Sequence, residues 1–160
     1  MNVQSHLVSS VMVAGEQHLP GAKQLADQHK RELGFVNREI LRKAIAAQSL
    51  LVALTDCGVP TQLAGMLHFY QRRDDIVTLY SIAVAEPYRR YGIGSLLFEE
   101  LVHIAHISGK AYIRLKCPTD LPANLFYEKL GLELITVEEG KQRPLNVWCY
   151  KVSKQHVFVS

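Results

Sequence analysis

Residues 78–95 read Thr78-Leu-Tyr-Ser-Ile-Ala-Val-Ala-Glu-Pro-Tyr-Arg-Arg-Tyr-Gly-Ile-Gly-Ser95. The first half is mostly apolar or small, with many β-branched and aromatic side chains, which is typical of a buried strand. Pro87 cannot donate to a neighbouring strand, so the strand is expected to end before it. Apolar residues then recur at helical spacing, at Ile93, Leu97, Leu101, Ile104 and Ala105. The segment therefore predicts a strand, a basic turn and a helix.

The turn between this strand and this helix contains Arg89, Arg90, Gly92 and Gly94. The first turn of a helix leaves backbone N–H groups without intrahelical partners and carries partial positive charge. Glycines let the backbone approach a ligand closely, and the first turn holds no acidic side chain that would compete. The turn therefore predicts an anion site suited to phosphate or pyrophosphate.

Size and composition indicate one ordinary globular domain over residues 1–160. The chain is 48% hydrophobic and 21% charged, with a net charge of +3 and a pI near 8.8. This charge suits a small anionic ligand, but it is weak support for nucleic-acid binding, and no nucleic-acid motif is visible. We expect no nucleic-acid partner.

The cysteines and the N-terminal segment bear on the cellular compartment. Cys57, Cys117 and Cys149 lie far apart with no Cys-x-x-Cys pair, which favours free thiols and predicts neither a disulfide framework nor a metal site. The sequence contains no basic start followed by a long apolar run, so we expect neither a signal peptide nor a membrane span. A cytoplasmic location is the resulting expectation.

The remaining chain predicts a mixed α+β (α/β/α) fold. Two helices are expected before the sheet, the first with an apolar face of Ala22, Leu25, Ala26, His29 and Leu33, the second capped by Asn37 with Ile40, Leu41, Ala44 and Ile45 buried. Strands are expected at 7–14, 49–55, 62–70, 76–85, 111–117, 132–138 and 145–151, with a turn at 56–60 and a short helix at 123–130. The three central strands predict an antiparallel meander, and the helix before the 111–117 strand predicts a parallel crossover. We therefore expect a mostly antiparallel, twisted sheet with helices on both faces.

Two familiar phosphate-binding motifs do not fit residues 89–94. A Rossmann fingerprint belongs in the first βα unit of a parallel sheet and is followed by an acidic residue at the end of the next strand. A Walker A loop requires Gly-Lys-[Ser/Thr] after four variable residues. Neither pattern is present, and the remaining alternative is a tight turn with solvated arginines.

Two motifs together resemble those of the GCN5-related N-acetyltransferase (GNAT) superfamily. Ile82-Ala-Val84 followed by Arg89-Arg-Tyr-Gly-Ile-Gly94 resembles its acyl-CoA-binding signature. Pro122-Ala-Asn-Leu-Phe-Tyr-Glu-Lys-Leu-Gly131-Leu132 resembles its second signature, a short helix ending in Phe-Tyr-x-x-x-Gly-Phe. The resemblance covers roughly residues 10–151 and implies the acyl-CoA N-acyltransferase fold.

The resemblance also implies a cofactor site. Backbone amides of Arg90, Tyr91, Gly92, Ile93, Gly94 and Ser95 would hold the pyrophosphate of CoA, and Arg89 belongs to the same motif. The pantetheine arm would run beside Ile82, Ala83 and Val84, pairing with strand N–H and C=O groups. Asn124 is a candidate CoA contact, with helix capping or simple exposure as the alternative; the family asparagine has no closer counterpart by spacing than Asp120.

Tyr127 is implied as the general acid that protonates the departing thiolate of CoA. A phenol has a pKa of about 10, and the thiol that is the conjugate acid of the thiolate has a pKa of about 8.5. The phenol can protonate the thiolate when its position assists the transfer. The alternative is that Tyr127 packs with Phe126 in the core. Cys117 could be an acyl-carrying nucleophile, but a buried small hydrophobe is favoured.

The base that deprotonates the amine is left open by the sequence. Glu86 is one candidate, and His68 and Tyr80 on neighbouring strands are others. Some family members place a glutamate on the strand before the second motif, whereas this chain reads Arg114-Leu-Lys116-Cys117 there.

The sequence thus predicts an acetyl-CoA-dependent N-acetyltransferase, an acyltransferase that uses acetyl-CoA as co-substrate and no metal. Its acceptor would be a primary amine of a small molecule or peptide, attacked directly in a ternary complex. The alternatives are a non-catalytic acyl-CoA sensor on the same fold and a nucleotide-binding protein. Four basic residues (Arg72, Arg73, Lys141 and Arg143) could flank the acceptor and select an acidic or carboxylated amine, but a charged, solvated loop is favoured. A homodimer is compatible with this fold class.

Overall fold

The computed structural model describes residues 8–55 and 62–153. The strands are β1 (Val8–Val13), β2 (Leu50–Thr55), β3 (Leu63–Gln71), β4 (Ile76–Val84), β5 (Tyr112–Pro118), β6 (Glu133–Glu138) and β7 (Leu145–Lys151). The helices are α1 (Leu19–Gln28), α2 (Lys30–Leu33), α3 (Arg38–Ala46), α4 (Ile93–Ile107) and α5 (Ala123–Lys129), with short 3-10 helices at Glu16–His18 and Glu86–Tyr88.

The strands form one mixed sheet in the order β1-β2-β3-β4-β5-β7-β6. This confirms the predicted fold class, a mostly antiparallel sheet accompanied by helices. The chain divides into two compact units, one with the described residues up to Phe69 plus Ser81–Glu100, the other with Tyr70–Tyr80 and the described residues from Leu101 onward.

The first unit has helices on both faces of its strands. β2 pairs antiparallel with β1 and with β3, and Val52 lies opposite Met66. These two side chains share a core with the buried faces of α1 and α3. Gly65 points the other way, and a Cβ there would lie 3.1 Å from Leu97 and 3.0 Å from the Ala83 carbonyl oxygen. The absence of a side chain at Gly65 therefore lets α4 pack closely on β3.

The second unit is built around β5. β4 runs parallel to it, with Thr78 opposite Arg114, as the predicted crossover requires. β7 pairs antiparallel with β5 on its other side, and β6 pairs antiparallel with β7. The last strand is thus inserted between β5 and β6, which leaves β6 at the edge of the sheet.

Two predictions about the first helices were wrong in detail. The first helix stops at Gln28 because the imidazole Nδ1 of His29 donates to the Leu25 carbonyl (2.9 Å), while the backbone N–H of His29 shifts to the Ala26 carbonyl. The side chain thus takes the acceptor that would continue the helix. Ile40 is 41% exposed, since Leu41, Ala44 and Ile45 already form the narrow buried stripe of α3.

The other elements differ from prediction by one or two residues at their ends, apart from the short 3-10 helices, which were not predicted. The predicted turn at 56–60, including Cys57, lies outside the described residues, as do Leu7 and residues 154–160. Among the helices that the structure describes, none combines the length and apolarity needed to cross a membrane.

Candidate active site

The turn before α4 is a row of free backbone donors. Six consecutive amides, from Arg90 to Ser95, donate to no backbone acceptor among the described residues; the Arg89 amide before them and the Leu96 amide after them are bonded. Arg90 and Gly92 adopt positive φ angles of 70° and 79°. Left-handed residues within such a turn direct successive N–H groups toward one concave surface, which binds anions. The geometry is that of an anion site at a helix N-terminus.

The backbone at this site is strained at a residue that is not glycine. A left-handed conformation costs a side-chain-bearing residue about 1–2 kcal/mol. Arg90 adopts it with its side chain exposed. Such strain persists only where the surroundings hold the conformation in place. Behind the turn, the buried side chains of Ile93 and Leu97 fix α4.

Arg89 supplies one of the contacts that hold the turn. Its Nε donates to the Val84 carbonyl at the end of β4 (3.1 Å), and its guanidinium lies 2.7 Å from Nε2 of His29. Because Nδ1 of His29 faces the Leu25 carbonyl and must donate to it, Nε2 of the neutral ring is left to accept from Arg89. The Arg89 side chain thus joins the turn, β4 and the end of α1.

The strand segment Ile82–Val84 lies immediately before this turn. Ala83 is buried, whereas Ile82 and Val84 are partly exposed. The pairing of β4 with β5 covers only Ile76, Val77 and Thr78, although β4 continues to Val84 and β5 to Pro118. The two strands are thus no longer paired beyond Thr78 and Arg114.

Tyr127 lies in α5 with a buried ring, 6% exposed. Its hydroxyl has no hydrogen-bond partner among the described residues. Every fully buried side-chain oxygen or nitrogen of the described residues does have a partner. The hydroxyl oxygen must therefore keep some access to the surface. Burial raises the pKa of this phenol, and the nearby Cys117 thiol raises it further. Tyr127 is consequently protonated throughout the physiological pH range.

Asn124 is saturated with protein partners. Its Nδ2 donates to the carbonyls of Pro118 (2.8 Å) and Leu121 (2.9 Å). Its Oδ1 accepts from Nδ2 of Asn146 (3.0 Å) and Nε1 of Trp148 (2.9 Å). Both donors and both acceptor positions of the amide are thus used. The residue ties the first turn of α5 to β7.

The candidate bases lie in different settings. Glu86 is exposed in the 3-10 helix that follows β4. His68 is partly buried on β3, and this burial lowers the pKa of its imidazole, which favours the neutral form that can accept a proton. Tyr80 is 59% exposed on β4.

The thiol of Cys117 is buried on β5, and burial raises its pKa. A thiol whose pKa is raised forms little of the reactive thiolate, so this environment is that of a small core side chain. No cluster of three or more His, Cys, Asp or Glu residues within the described ranges is arranged to hold a metal ion.

The structure groups the predicted residues in two places. Ile82–Val84 and Arg89–Ser95 form one continuous segment of the first unit, and Tyr127 and Asn124 share α5 in the second. Sequence reasoning missed the partners of these residues, namely His29 for Arg89 and Asn146 with Trp148 for Asn124. His29 lies 60 positions from Arg89 in the sequence, and no local pattern connects them.

The family model of the Acetyltransferase (GNAT) family matches residues 22–132. The chain belongs to this family. The match includes both the turn before α4 and Tyr127, so both predicted motifs lie within it. None of the curated proteins matches the chain significantly.

Solved GNAT structures share the fold over nearly the whole chain. The ribosomal-protein-S18-alanine N-acetyltransferase of Escherichia coli is 17% identical, with a TM-score of 0.72, covering 93% of this chain and 98% of that one. The yncA protein of Salmonella typhimurium, solved with its cofactor acetyl-CoA, is 15% identical, with a TM-score of 0.72 and coverage of 92% and 96%. A chain of the NatC complex bound to Gag peptide and CoA is 16% identical, with a TM-score of 0.75 and coverage of 90% and 98%.

Proposed function

We propose that this GNAT protein is an acetyl-CoA-dependent N-acetyltransferase that transfers acetyl to a primary amine by direct attack in a ternary complex. The observation that carries the proposal is the run of six free amides from Arg90 to Ser95, ahead of α4. A pyrophosphate presents several acceptor oxygens and negative charge, which such a run binds with the help of the helix dipole.

The proposed cofactor is acetyl-CoA, with its pyrophosphate on these amides and its pantetheine arm beside Ile82–Val84. Two of the structural neighbours were solved with CoA or acetyl-CoA, which supports this choice. Amide groups of the pantetheine arm would pair with strand backbone, as in strand addition. Arg89 would contribute through its contacts with Val84 and His29, which position the turn.

The proposed reaction forms one bond and breaks one. The neutral amine nitrogen bonds to the thioester carbonyl carbon, the carbon–sulfur bond then breaks, and the amine gives up a proton to a base. A strand amide near Val84 would stabilise the negative charge on the carbonyl oxygen. The products are the acetylated amine and the free thiol of CoA.

Tyr127 would donate the proton that the departing sulfur needs. Its raised pKa keeps the proton in place at neutral pH, and the accessibility of its hydroxyl oxygen allows contact with a thiolate. The pKa of a thiol is about 8.5, which is below that of the phenol. Proton transfer from Tyr127 to the thiolate is therefore uphill and requires the two groups to be held in contact. All hydrogen-bonding positions of the Asn124 side-chain amide are occupied by protein partners. We therefore propose that Asn124 contributes to the cofactor site indirectly, by fixing the position of α5.

Deprotonating the acceptor is the remaining requirement. An alkyl amine of pKa about 10.4 is only ~0.1% neutral at pH 7.4, a penalty near 4 kcal/mol. Glu86, or His68 in its neutral form, could accept the proton directly or through water.

The test is a thiol-release assay with acetyl-CoA over a panel of amines, combined with calorimetry of CoA binding. Micromolar CoA binding with thiol release that depends on an added amine is expected. CoA binding without release for any amine class would instead identify an acyl-CoA-binding module. Stabilisation by ATP or NAD but not by CoA would overturn the cofactor assignment.

A further inference from the structure

One face of the second unit carries an arginine at its centre. Thr78 of β4, Arg114 of β5 and Cys149 of β7 lie side by side in register. Paired residues of neighbouring strands project from the same face of a sheet, so these three side chains share one surface. We call this surface the Arg114 face.

Arg114 is exposed and has no carboxylate partner among the described residues. Its guanidinium lies 5.9 Å from the ring centroid of Tyr112, two residues earlier on β5. Glu133 of β6 is opposite Cys149, so the whole of β7 separates it from Arg114. Arg114 therefore presents an unneutralised guanidinium on an open surface.

Three neighbouring cations of this unit are already paired. Arg72 bonds to Asp74 (3.1 Å), Arg143 bonds to Asp120 (3.2 Å), and Lys116 bonds to Glu138. Two of the four basic residues that the sequence offered as anion selectors are thereby neutralised. On the Arg114 face, the two cations without a carboxylate partner among the described residues are Arg114 and Lys151, which lies opposite Tyr112. Charge complementarity with an acidic ligand therefore rests on these two, with Arg114 beside the point where β4 and β5 stop pairing.

Two tyrosines extend the same surface. Tyr80 follows Thr78 by two positions on β4, so both project from one face. Its ring lies 6.4 Å from that of Tyr70, and the two residues are 59% and 51% exposed. Exposed tyrosine and arginine side chains are the residue types that dominate protein recognition sites.

The opposite face of these strands is occupied by α5. Trp148 and Asn146, which hold Asn124, alternate with Cys149 on β7 and so project away from the Arg114 face. Cys117, whose thiol influences Tyr127, likewise alternates with Arg114 on β5. The general-acid candidate and the Arg114 face therefore lie on opposite sides of β5 and β7.

We infer that the Arg114 face binds the acceptor, and that this acceptor is the amine of an acidic peptide. The inference rests on the proposed function. A peptide carboxylate would pair with the guanidinium through two parallel hydrogen bonds, and the chain would lie across Tyr70 and Tyr80. Half-exposed rings spread over two strands suit an extended chain better than a small molecule, whose sites enclose most of the ligand surface.

The position of Arg114 supports this role. Arg114 and Thr78 form the last pair before β4 and β5 cease to be paired. An acceptor held there would enter from the side opposite Tyr127. The attacking amine would thus be bound on the Arg114 face, and the departing thiolate would be protonated by Tyr127 on the opposite face of the same strands.

The test uses three labelled peptides with a free N-terminus that differ only at positions two to four, carrying Glu, Gln or Lys. Binding to the CoA-saturated protein is measured by fluorescence anisotropy, and acetylation of the unlabelled peptides is measured by thiol release from acetyl-CoA. We expect the Glu peptide to bind about ten-fold more tightly than the Gln peptide. Arg114→Glu should abolish or invert this preference, and Arg114→Lys should retain part of it.

Arg31→Glu is the matched control, since Arg31 is an exposed arginine of α2 in the first unit, and it should leave the preference unchanged. Equal binding of the Glu and Gln peptides, or an unaltered preference in Arg114→Glu, would overturn the inference. So would faster acetylation of free glutamate than of the Glu peptide.

The two proposals fail separately. Selective binding of the Glu peptide without thiol release would refute the transferase activity and leave the face assigned. Release with neutral amines but no acidic preference would refute only the acidic acceptor.

Discussion

The guanidinium of Arg89 donates to Nε2 of His29 across 2.7 Å, joining the turn before α4 to the end of α1. The same arginine holds the Val84 carbonyl, and the same histidine holds the Leu25 carbonyl. Two side chains thus connect three backbone segments around the proposed pyrophosphate site. His29 is buried, so its removal would leave both hydrogen bonds unmade.

His29→Ala is expected to weaken CoA binding several-fold and to lower the free energy of unfolding by about 1–3 kcal/mol, because a partly buried hydrogen bond to the charged Arg89 and a buried one to the Leu25 carbonyl are lost. Calorimetry and urea unfolding measure the two effects. His29→Gln, whose side-chain oxygen can accept from Arg89, should recover part of the affinity. Wild-type affinity in His29→Ala would show that the contact does not position the turn.

Gly94→Glu is expected to abolish CoA binding, because it places a negative side chain among the free amides of the first turn of α4. Gly94→Ala, which adds volume without charge, is the control and should bind CoA within a few-fold of the wild type. Gly92→Ala should weaken binding and destabilise the fold by about 1–2 kcal/mol, since Gly92 has a φ of 79°. Normal affinity in Gly94→Glu would place the anion elsewhere.

Tyr127→Phe is expected to lower kcat by roughly two orders of magnitude while CoA affinity and thermal stability stay close to the wild type, because the hydroxyl has no hydrogen-bond partner in the part of the chain that the structure describes. Since burial raises the pKa of Tyr127, kcat of the wild type should not fall through loss of this proton as the pH rises to about 10. Steady-state kinetics from pH 6 upward check both statements. Unchanged kcat would remove Tyr127 from the mechanism.

Asn124→Ala is expected to destabilise the protein by about 1–3 kcal/mol, because it leaves the donors of Trp148 and Asn146 without their acceptor. Trp148 is the single tryptophan of the chain, so its fluorescence reports this site directly. We expect a shifted emission spectrum in the folded variant and an earlier urea midpoint. Asn146→Ala, which removes one donor but leaves Trp148 bonded, should shift the emission less.

His18 makes stability depend on pH. Its Nδ1 accepts from the Gly15 amide (2.9 Å), which requires an unprotonated nitrogen, and burial lowers the pKa of the ring. In the unfolded chain the imidazole of His18 has a pKa of about 6.5. As the pH falls, the unfolded chain therefore binds a proton at this residue more readily than the folded one. Stability should decrease below about pH 6.5, by at most about 1.4 kcal/mol per pH unit for this residue.

Urea unfolding between pH 7.5 and 5.5 measures this slope. His18→Asn, which can accept the same bond without titrating, should flatten it. A residual slope is expected from His68, whose pKa burial lowers as well. The same slope in wild type and His18→Asn would show that another group controls the transition.

Much of the fold followed from local patterns. The stripe of Ile93, Leu97 and Leu101 predicted α4, and Asn37 caps α3 by accepting from the Ile40 amide at 2.8 Å, as its residue type suggested. The pairing of strands that are distant in the sequence was harder to predict. No pattern in the sequence reveals that β7 lies between β5 and β6, because that order depends on which edge the last strand adopts.

The candidate site shows the same division. The residues of the turn could be named from glycine and arginine spacing, but the left-handed conformation of Arg90 could not, since arginine has no preference for it. The use of Asn124 as a structural tie was also hidden, because its four partners come from the end of β5, from the loop before α5 and from β7. The residues of the site could thus be predicted from their spacing, whereas their conformations and hydrogen-bond partners depend on contacts between distant segments.

The early end of the pairing between β4 and β5 has a thermodynamic consequence. A ligand whose amides pair with the unpaired end of β4, as we propose for the pantetheine arm, would become part of the folded architecture. By mass action, each tenfold rise in free ligand above its Kd then adds about 1.4 kcal/mol to the stability of the protein. The lifetime of this chain against heat and proteases would therefore follow the supply of the proposed co-substrate.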